Sequence, residues 1–395
     1  MRNRLPEIDF HFSGERFCLF GLSVYMKKYD MTIRTLCARI KGQPDVTEGT
    51  AYAILFTISF AHLLNDMIQS VIPAIYPMIK DKFGFSFAQI GVITLVFQLT
   101  SSILQPFVGR YADRHPRPYA LSLGMCFTLA GLLLLSFAYN FMLILLAVSI
   151  IGWGSSVFHP EASRVAQLAS GGKKSLAQSI FQVGGNGGSA IGPLLAALII
   201  IPFGQPAISC FAMAAVLASL ILARVGRWYG MKLATVTRQR HAVSVAAGRL
   251  SKSRVRTSLL ILVVLIFSKY FYISCMTSYF TFFLMDKFGM SVQHSQVCLF
   301  AFLAALAVGT LFGGVLGDRF GRKYVIWGSI LGAAPFALVL PYVGLFWTIT
   351  VAVITGLVIA SAFSAILVYA TDLMPGKVGM ISGIFFGLMF GLGGI

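Results

Sequence analysis

The sequence predicts an all-α integral membrane protein made of two pseudo-symmetric six-helix halves. The second half is predicted to be truncated in helix 11 of the chain. Three observations support this prediction. Only 11% of the 395 residues are charged and 57% are hydrophobic, whereas soluble domains carry about 25% charged residues. Apolar runs long enough to cross a bilayer follow one another along the chain. Short motifs of the first half return in the second half at a constant spacing.

The apolar runs define the predicted helices. A membrane-spanning helix needs about 20 mostly apolar residues. The segments that meet this condition are 51–77, 87–112, 119–137, 141–168, 175–201, 207–222, 258–284, 297–316, 324–340 and 347–373. An eleventh apolar run begins near Gly379 and continues to Ile395, the last residue. The sequence therefore predicts ten spans and part of another.

The charges of the loops predict the orientation of these spans. The connection 223–257 is rich in Lys and Arg and contains no acidic residue, which is typical of cytoplasmic loops. Further basic clusters at 110–117, 173–174 and 319–323 fall on the same side. Because six spans precede the basic connection, we expect the N-terminus of this multi-pass protein to be cytoplasmic.

An internal repeat predicts the division into halves. The tetrapeptide Asp-Lys-Phe-Gly at 81–84 recurs at 286–289, a shift of 205 residues (286 − 81). The same shift relates Gly109 to Gly314, Asp113 to Asp318, and Ser156 to Ser361. Two six-helix halves joined by a basic linker are typical of secondary transporters, whose substrate site lies between the halves near the bilayer midplane.

The repeat also predicts the boundaries of the parts. We expect an N-terminal cytoplasmic extension (1–49), a six-helix half (50–223), a basic cytoplasmic linker (224–257) and an incomplete second half (258–395). The extension is polar, which suits either a disordered segment or an over-extended start with the initiator at Met31. If the sixth span ends near Leu222, the twelfth would end near residue 427 (222 + 205).

Composition and motifs exclude several other classes of protein. The net charge of +18 could suit a nucleic-acid-binding protein, but the basic residues lie in short loops between apolar runs. The six cysteines form no CxxC pair, and no HExxH, Walker or GxSxG motif occurs. We therefore expect no enzyme, no cofactor and no metal. The expected partners are the lipid bilayer, a small-molecule substrate and protons, and the expected state is a monomer.

The loop between spans eight and nine predicts a gate. It reads Gly-Val-Leu-Gly-Asp-Arg-Phe-Gly-Arg-Lys over 314–323 and contains Asp318 and Arg322, with Asp113 and Arg117 at the matching first-half positions. The loop resembles the loop signature of the major facilitator superfamily, in which such an aspartate latches one face of the carrier. An aspartate at a helix end can meet the positive N-terminus of a neighbouring helix. The alternative is an ordinary cytoplasmic loop with incidental acids.

Span five is rich in glycine and carries a proline. Gly188 and Gly192 form a small-xxx-small face that favours close helix packing, and Pro193 is expected to bend the helix. The segment resembles the fifth-helix signature of proton-coupled antiporters of the same superfamily. The match is partial, because residues 194–197 replace the glycines that usually follow the proline. Packing alone explains the pattern equally well.

Ionisable residues at membrane depth are candidates for a coupling site, because a charge is costly there unless it is paired or functional. His62 and Asp66 are four residues apart and share a helix face, with Asn65 beside them. Asp66 lies about 22 Å from the start of its span at 1.5 Å per residue. We expect Asp66, assisted by His62, to carry a coupling proton. A static His–Asp pair is the alternative.

Span seven contains a second candidate, Lys269, followed by Tyr270 and Tyr272. A buried ammonium flanked by aromatic residues suits an anionic substrate that also needs aromatic contact. The alternative is an ion pair with Asp66. Neutral hydrogen-bonding side chains are predicted at similar depth and complete the expected substrate site: Asn65, Gln98, Gln182 and Asn186.

Span four carries His159, Glu161 and Arg164. Counted from the start of the span, this cluster lies about 27–35 Å down, near the cytoplasmic mouth. Glu161 and Arg164 are three residues apart and can pair. We expect a gate or a structural salt bridge here, with a proton or substrate entrance as the alternative.

Five longer runs, at 59–70, 154–161, 177–186, 268–272 and 321–327, resemble bacterial drug-efflux transporters of the major facilitator superfamily. The resemblance covers about 49–395. It implies a proton-driven antiporter of the bacterial inner membrane that exports an anionic phosphonate drug. Two alternatives remain open: a carrier for another metabolite or a sugar, and a non-functional truncated fragment.

Overall fold

The computed structural model describes residues 49–243 and 251–393. All regular elements within these residues are helices. The predicted extension, except for its last residue, and residues 244–250 of the predicted linker lie outside the described residues. We number the membrane helices α1 (Tyr52–Ala74), α2 (Phe87–Arg114), α3 (Ala120–Phe137), α4 (Phe141–Leu168), α5 (Lys174–Phe203), α6 (Gln205–Ala234), α7 (Lys252–Phe288), α8 (His294–Phe320), α9 (Arg322–Tyr342), α10 (Leu345–Leu373) and α11 (Val378–Gly393).

Helices α1 to α10 are long and apolar enough to cross a membrane, which confirms the ten predicted spans. Several are longer than the apolar runs. The helix that includes the end of α6 continues to Val243, and α7 begins at Lys252, so much of the predicted linker is helical. An apolar run marks the part of a helix that lies in hydrocarbon, whereas a helix continues until its capping groups end it.

The repeated tetrapeptide ends a helix in each half. In the first half it closes a short helix, Tyr76–Phe83, which follows α1. In the second half it closes α7. The final glycines, Gly84 and Gly289, both have φ of 64°, a left-handed conformation that glycine adopts without the penalty of a Cβ. The repeated tetrapeptide therefore has a structural role, which is to end a helix in each half.

Each half has its own internal packing, and helices of the first half pack on helices of the second. In the first half α1 packs on α5, and α3 packs on α4 and α6. In the second half α10 packs on α8 and α9. Between the halves α2 and α4 pack on α11, and α5 packs on α8. These interfaces bring the candidate site residues of both halves together.

The glycines of α5 let that helix approach α1 closely. A Cβ added to Gly188 would lie 2.8 Å from the backbone nitrogen of Met67, and one on Gly192 would lie 2.5 Å from the Met67 oxygen. Beyond Pro193, the helix widens into a π-helical turn at Ala196–Ile200, as expected where a proline removes a backbone hydrogen bond. Packing thus accounts for Gly188 and Gly192, while a role for either in coupling stays a prediction.

Candidate functional site

A buried carboxylate, Asp66, lies between two imidazoles at the centre of the first half. Asp66 Oδ2 is 3.2 Å from His62 Nε2, and Asp66 Oδ1 is 3.3 Å from His159 Nε2. Asp66 is 3% exposed, and both histidines are fully buried. Asn65 Nδ2 donates a hydrogen bond to Asp66 Oδ1 at 2.9 Å. We call His62, Asp66 and His159 the central triad.

The position of His159 corrects the sequence interpretation. We expected this side chain at the cytoplasmic mouth with Glu161 and Arg164, but it contacts Asp66. The error comes from counting depth along each helix separately, which assumes that all helices start at one level and run without tilt. Helices α1 and α4 enter from opposite faces, so a small error in each starting level changes their relative height by several residues.

The outer nitrogens of both rings face backbone carbonyls. His62 Nδ1 lies 2.8 Å from the Phe181 oxygen, and His159 Nδ1 lies 3.3 Å from the Ser155 oxygen. A carbonyl oxygen only accepts hydrogen bonds, so a neutral ring in this position carries its proton on Nδ1 and directs a lone pair from Nε2. Both lone pairs then point at the carboxylate. A further proton on this triad turns one of those contacts into a hydrogen bond.

Aromatic rings and one glycine enclose the central triad. The ring of Phe181 stacks on His62 at 4.0 Å between centroids, and Phe386 of α11 lies 5.2 Å from His159. A Cβ on Gly185 would lie 2.8 Å from Asp66 Oδ2, so the triad fits only because this residue lacks a side chain. Sequence reasoning missed Gly185, although it belongs to the glycine-rich run of α5. The triad thus contacts α5 of its own half and α11 of the other.

A buried ammonium lies in the second half. Lys269 of α7 is 3% exposed, and its Nζ donates to Ser329 Oγ at 2.6 Å and to the Ile359 oxygen at 3.1 Å. Among the described residues no carboxylate forms an ion pair with it. The alternative that Lys269 pairs with Asp66 is therefore wrong for this structure, because Lys269 points towards α9 and α10 within its own half.

A small cavity joins Lys269 to the interface between the halves. The cavity has a volume of about 60 Å³, and its polar lining comprises Lys269, Tyr270, Asn186 and Thr310. Asn186 Nδ2 donates to Thr310 Oγ1 at 3.4 Å, across the interface of α5 and α8. Gln182 donates in turn to Asn186 Oδ1 at 3.1 Å. Drug-sized pockets measure about 300–1,000 Å³, so the halves must separate before this cavity can admit such a molecule.

The remaining predicted substrate residues do not line this cavity. Asn65 is engaged with Asp66. Gln98 accepts a hydrogen bond from Ser102 Oγ at 3.3 Å within α2. Tyr272 faces a separate groove of about 190 Å³ between α7 and α9, which Lys269 also borders. Depth alone placed these residues together, but the direction of each side chain around its helix axis separates them.

Two aspartates connect the halves at the end where the basic loops lie. Asp113, at the end of α2, accepts the backbone N–H groups of Gly379 and Met380, both at 2.9 Å, at the start of α11. Asp318, at the end of α8, accepts the N–H groups of Ser175 at 3.1 Å and Leu176 at 2.8 Å, at the start of α5. Each carboxylate caps a helix of the opposite half, where unpaired N–H groups and the helix dipole favour an anion.

Arg164 supports the first of these contacts. Its guanidinium forms an ion pair with Asp113 and donates to the Ala112 oxygen at 2.7 Å. Glu161 Oε1 lies 3.5 Å from Arg164 Nη1, so the predicted pair of Glu161 and Arg164 is present. The sequence did not reveal that Arg164 also holds Asp113, because these residues are 51 positions apart.

The second contact has a different support, which sequence reasoning missed. Asp372, at the end of α10, forms ion pairs with Arg322 and with Lys174 of the other half, the latter at 2.7 Å. Arg322 Nε also donates to Ser175 Oγ at 3.2 Å. The first-half equivalent of Asp372 is Gln167 (372 − 205). Asp372 and Arg322 are 50 positions apart, so no local motif could have revealed their contact.

Arg117 departs from the prediction that it belongs to the gate. The side chain is exposed and forms no ion pair among the described residues; it borders a groove between α2, α3 and α4. The reason is the absence of an acid at Gln167, where its repeat partner Arg322 finds Asp372. The two halves therefore use the same aspartate contact with different supporting charges.

Comparison with known proteins gives one consistent result. Residues 58–395 match the family profile described as the Major Facilitator Superfamily. The chain is 56% identical over 346 residues to the fosmidomycin resistance protein of Escherichia coli (strain K12), covering 88% of this chain and 85% of that protein. It is 43% identical over 347 residues to an uncharacterized MFS-type transporter, YfnC, of Bacillus subtilis (strain 168), covering 88% and 85%.

The solved structures agree on the fold. A crystal structure of a major facilitator transporter, FucP, in the outward conformation matches with a TM-score of 0.65 and 16% identity, covering 87% of this chain and 89% of that one. The N162A variant of the Escherichia coli fucose:proton symporter FucP matches with a TM-score of 0.64. At such identity the likeness concerns the fold alone. The chain is a multi-pass membrane transporter and belongs to the major facilitator superfamily.

Proposed function

We propose that this protein exports fosmidomycin, an anionic phosphonate, in exchange for protons across the bacterial inner membrane. The observation that supports an anionic cargo is Lys269, a buried ammonium next to the interface cavity, without an acidic partner among the described residues. An isolated charge away from water is costly, and an anionic substrate would compensate it. The name of the Escherichia coli relative suggests the drug.

The central triad is the proposed proton site. Asp66 has a proton acceptor on each side, and a carboxylate in this apolar surrounding is less costly when a proton neutralises it. Because His159 packs on Phe386 of α11, a change in the triad acts directly on the interface between the halves. We assign proton coupling to Asp66 and His62, with His159 as their partner, and substrate binding to Lys269, Tyr270 and Asn186.

The two aspartate contacts are the proposed gate. Together with Arg164, Arg322 and Asp372, they hold one end of the two halves closed, so that the opposite end is the one free to open. We propose that this closed end is cytoplasmic, as the basic loops indicate. The N-terminus is then cytoplasmic as well. Because both halves of the site come from one chain, we propose a monomer that moves its substrate without changing its bonds.

A carrier for a neutral sugar is the alternative. Its only structural support is the likeness to the fucose:proton symporter, which shows the fold alone at 16% identity in the outward structure. A neutral sugar would leave the ammonium of Lys269 uncompensated. Resistance to fosmidomycin distinguishes the two proposals, because a carrier that accepts only a neutral sugar would not export this anionic drug.

The test is the minimal inhibitory concentration of fosmidomycin in an efflux-deficient bacterium that expresses the gene. We expect increased resistance with the native chain, loss of it with Lys269→Ala, and no loss with Lys323→Ala, which removes an exposed lysine. Protein levels in the membrane must be matched. A well-expressed native chain that gives no resistance would refute the proposed cargo and leave the family assignment unchanged.

A further inference from the structure

A basic groove lies between the start of α7 and the turn that joins α10 to α11. Its volume is about 830 Å³. Three cationic side chains line it: Lys252, Arg256 and Lys377. The rest of the lining is apolar and comprises Val255, Leu259, Leu373, Met374 and Pro375. No acidic side chain is part of this lining, so the groove combines positive charge with an apolar floor.

The cations of this basic groove have no acidic partner among the residues that the structure describes. The nearest acid along the chain, Asp372, is engaged by Lys174 and Arg322. The first turn of α7 adds to the positive potential, because the N-terminus of a helix carries a partial positive charge. Three like charges and a helix N-terminus thus converge on a concave surface, an arrangement that attracts an anion.

The length of α7 places the basic groove at the headgroup level of the membrane. The helix has 37 residues, about 55 Å at 1.5 Å per residue, whereas the hydrocarbon core is about 30 Å thick. Its apolar surface begins just after the cations, where Leu260 is 63% exposed and Ile261 is 53% exposed. The cations therefore lie in the polar interface, and the apolar floor extends towards the acyl chains.

We propose that the basic groove binds an anionic phospholipid of the cytoplasmic leaflet. The choice of leaflet rests on the orientation of the chain given under the proposed function. The phosphate would contact Lys252, Arg256 and Lys377, and an acyl chain would cover Leu259 and Leu373. A small free anion would leave this floor uncovered. A zwitterionic lipid would carry no net charge to compensate the cations. Anionic headgroups are attracted to such juxtamembrane cations.

The lipid would act close to the gate. Lys377 precedes Gly379 by two residues, and the N–H group of Gly379 donates to Asp113. A headgroup that holds Lys377 restrains the turn leading into α11 and favours the closed arrangement of this end. The ligand is thus placed to influence the conformational cycle without touching the substrate cavity.

Native mass spectrometry of the purified protein tests the proposal. Phosphatidylglycerol and phosphatidylcholine with identical acyl chains are added in equal amounts, and the ratio of bound lipids is measured. We expect a preference for phosphatidylglycerol that falls about fivefold for each cation removed. The variants are Lys252→Gln, Arg256→Gln and Lys377→Gln, singly and together, so that the single variants decide the matter if the triple variant does not fold.

A control variant with the same loss of charge carries Arg110→Gln, Lys173→Gln and Lys323→Gln, which lie outside the groove. It should keep the preference. If both triple variants lost the preference for phosphatidylglycerol equally, general electrostatic attraction would explain it and the proposal would be overturned. The absence of any preference in the native chain would also overturn the proposal. Displacement of the lipid by inorganic phosphate at equal concentration would show a free-anion site instead. Because this binding is measured in detergent without a drug, its failure is separable from failure of the export proposal.

Discussion

Arg164 and Asp113 form a buried ion pair, and the same Asp113 carboxylate accepts two backbone N–H groups from α11. Arg164 follows His159 by five residues on α4, and His159 contacts Asp66. One helix therefore connects the central triad with the contact that closes the halves. A displacement of α4 at the triad would reach the aspartate along this helix, which is a physical route for coupling.

Asp113→Ala should open the closed end. Hydrogen bonds to charged groups contribute about 1.5–3 kcal/mol each, so loss of one shifts the equilibrium towards the open form by about tenfold or more. The measurement is the labelling rate of a cysteine at position 382, in a chain whose native cysteines are replaced. Ser382 is fully buried and contacts Ser163 across the interface. Asp286→Ala, outside the interface, should leave the labelling rate unchanged. Equal rates with the native aspartates, with Asp113→Ala and with Asp286→Ala would refute the gate.

Asp372→Ala should have a much smaller effect in the same assay. Asp372 holds two cations, but its side chain is 37% exposed, and exposed ion pairs contribute about 0–1 kcal/mol. We expect a labelling rate within about fivefold of the native value, and the effect should disappear in high salt. A change as large as that of Asp113→Ala would show that this exposed network is the main support of the closed end.

The sequence predicted the spans well because the requirement for about 20 apolar residues acts on each helix separately. It also predicted that Asp113 and Asp318 face helix ends, because in both copies of the repeat a glycine lies four residues before the aspartate and an arginine four residues after it. These features depend on local composition and spacing. They could be read without knowing how the helices are arranged around one another.

The sequence failed where the direction of a side chain around its helix decides the contact. Lys269 and Asp66 were placed at similar depth, yet Lys269 turns towards Ser329 in its own half. His159 was placed too far from Asp66 because α1 and α4 were counted from opposite faces. Asp372 was missed because no motif surrounds it. Each error concerns rotation, tilt or long-range partners, none of which spacing along one helix specifies.

Gly185→Ala should damage transport through the central triad. The new Cβ would lie 2.8 Å from Asp66 Oδ2 and 2.5 Å from His62 Nε2, which forces the buried groups apart at a cost of about 1–3 kcal/mol. Gly187→Ala is the matched control, because its Cβ would meet only Leu63 Cδ1 at 3.6 Å. Drug efflux from loaded vesicles should fall with the first variant and persist with the second. Equal activity would show that the triad tolerates displacement.

Asp66→Asn should separate proton coupling from substrate exchange. The amide is close in shape to the carboxylate, but its NH₂ group can donate to an imidazole Nε2 without an added proton, so the triad is satisfied permanently. In proteoliposomes we expect concentrative transport driven by a pH gradient to be lost, while exchange of labelled for unlabelled drug without a gradient continues. Asp81→Asn, at an exposed aspartate, should retain both activities. Gradient-driven accumulation at the native level in Asp66→Asn would exclude this carboxylate as the proton carrier, whereas loss of both activities would indicate a structural role for the triad.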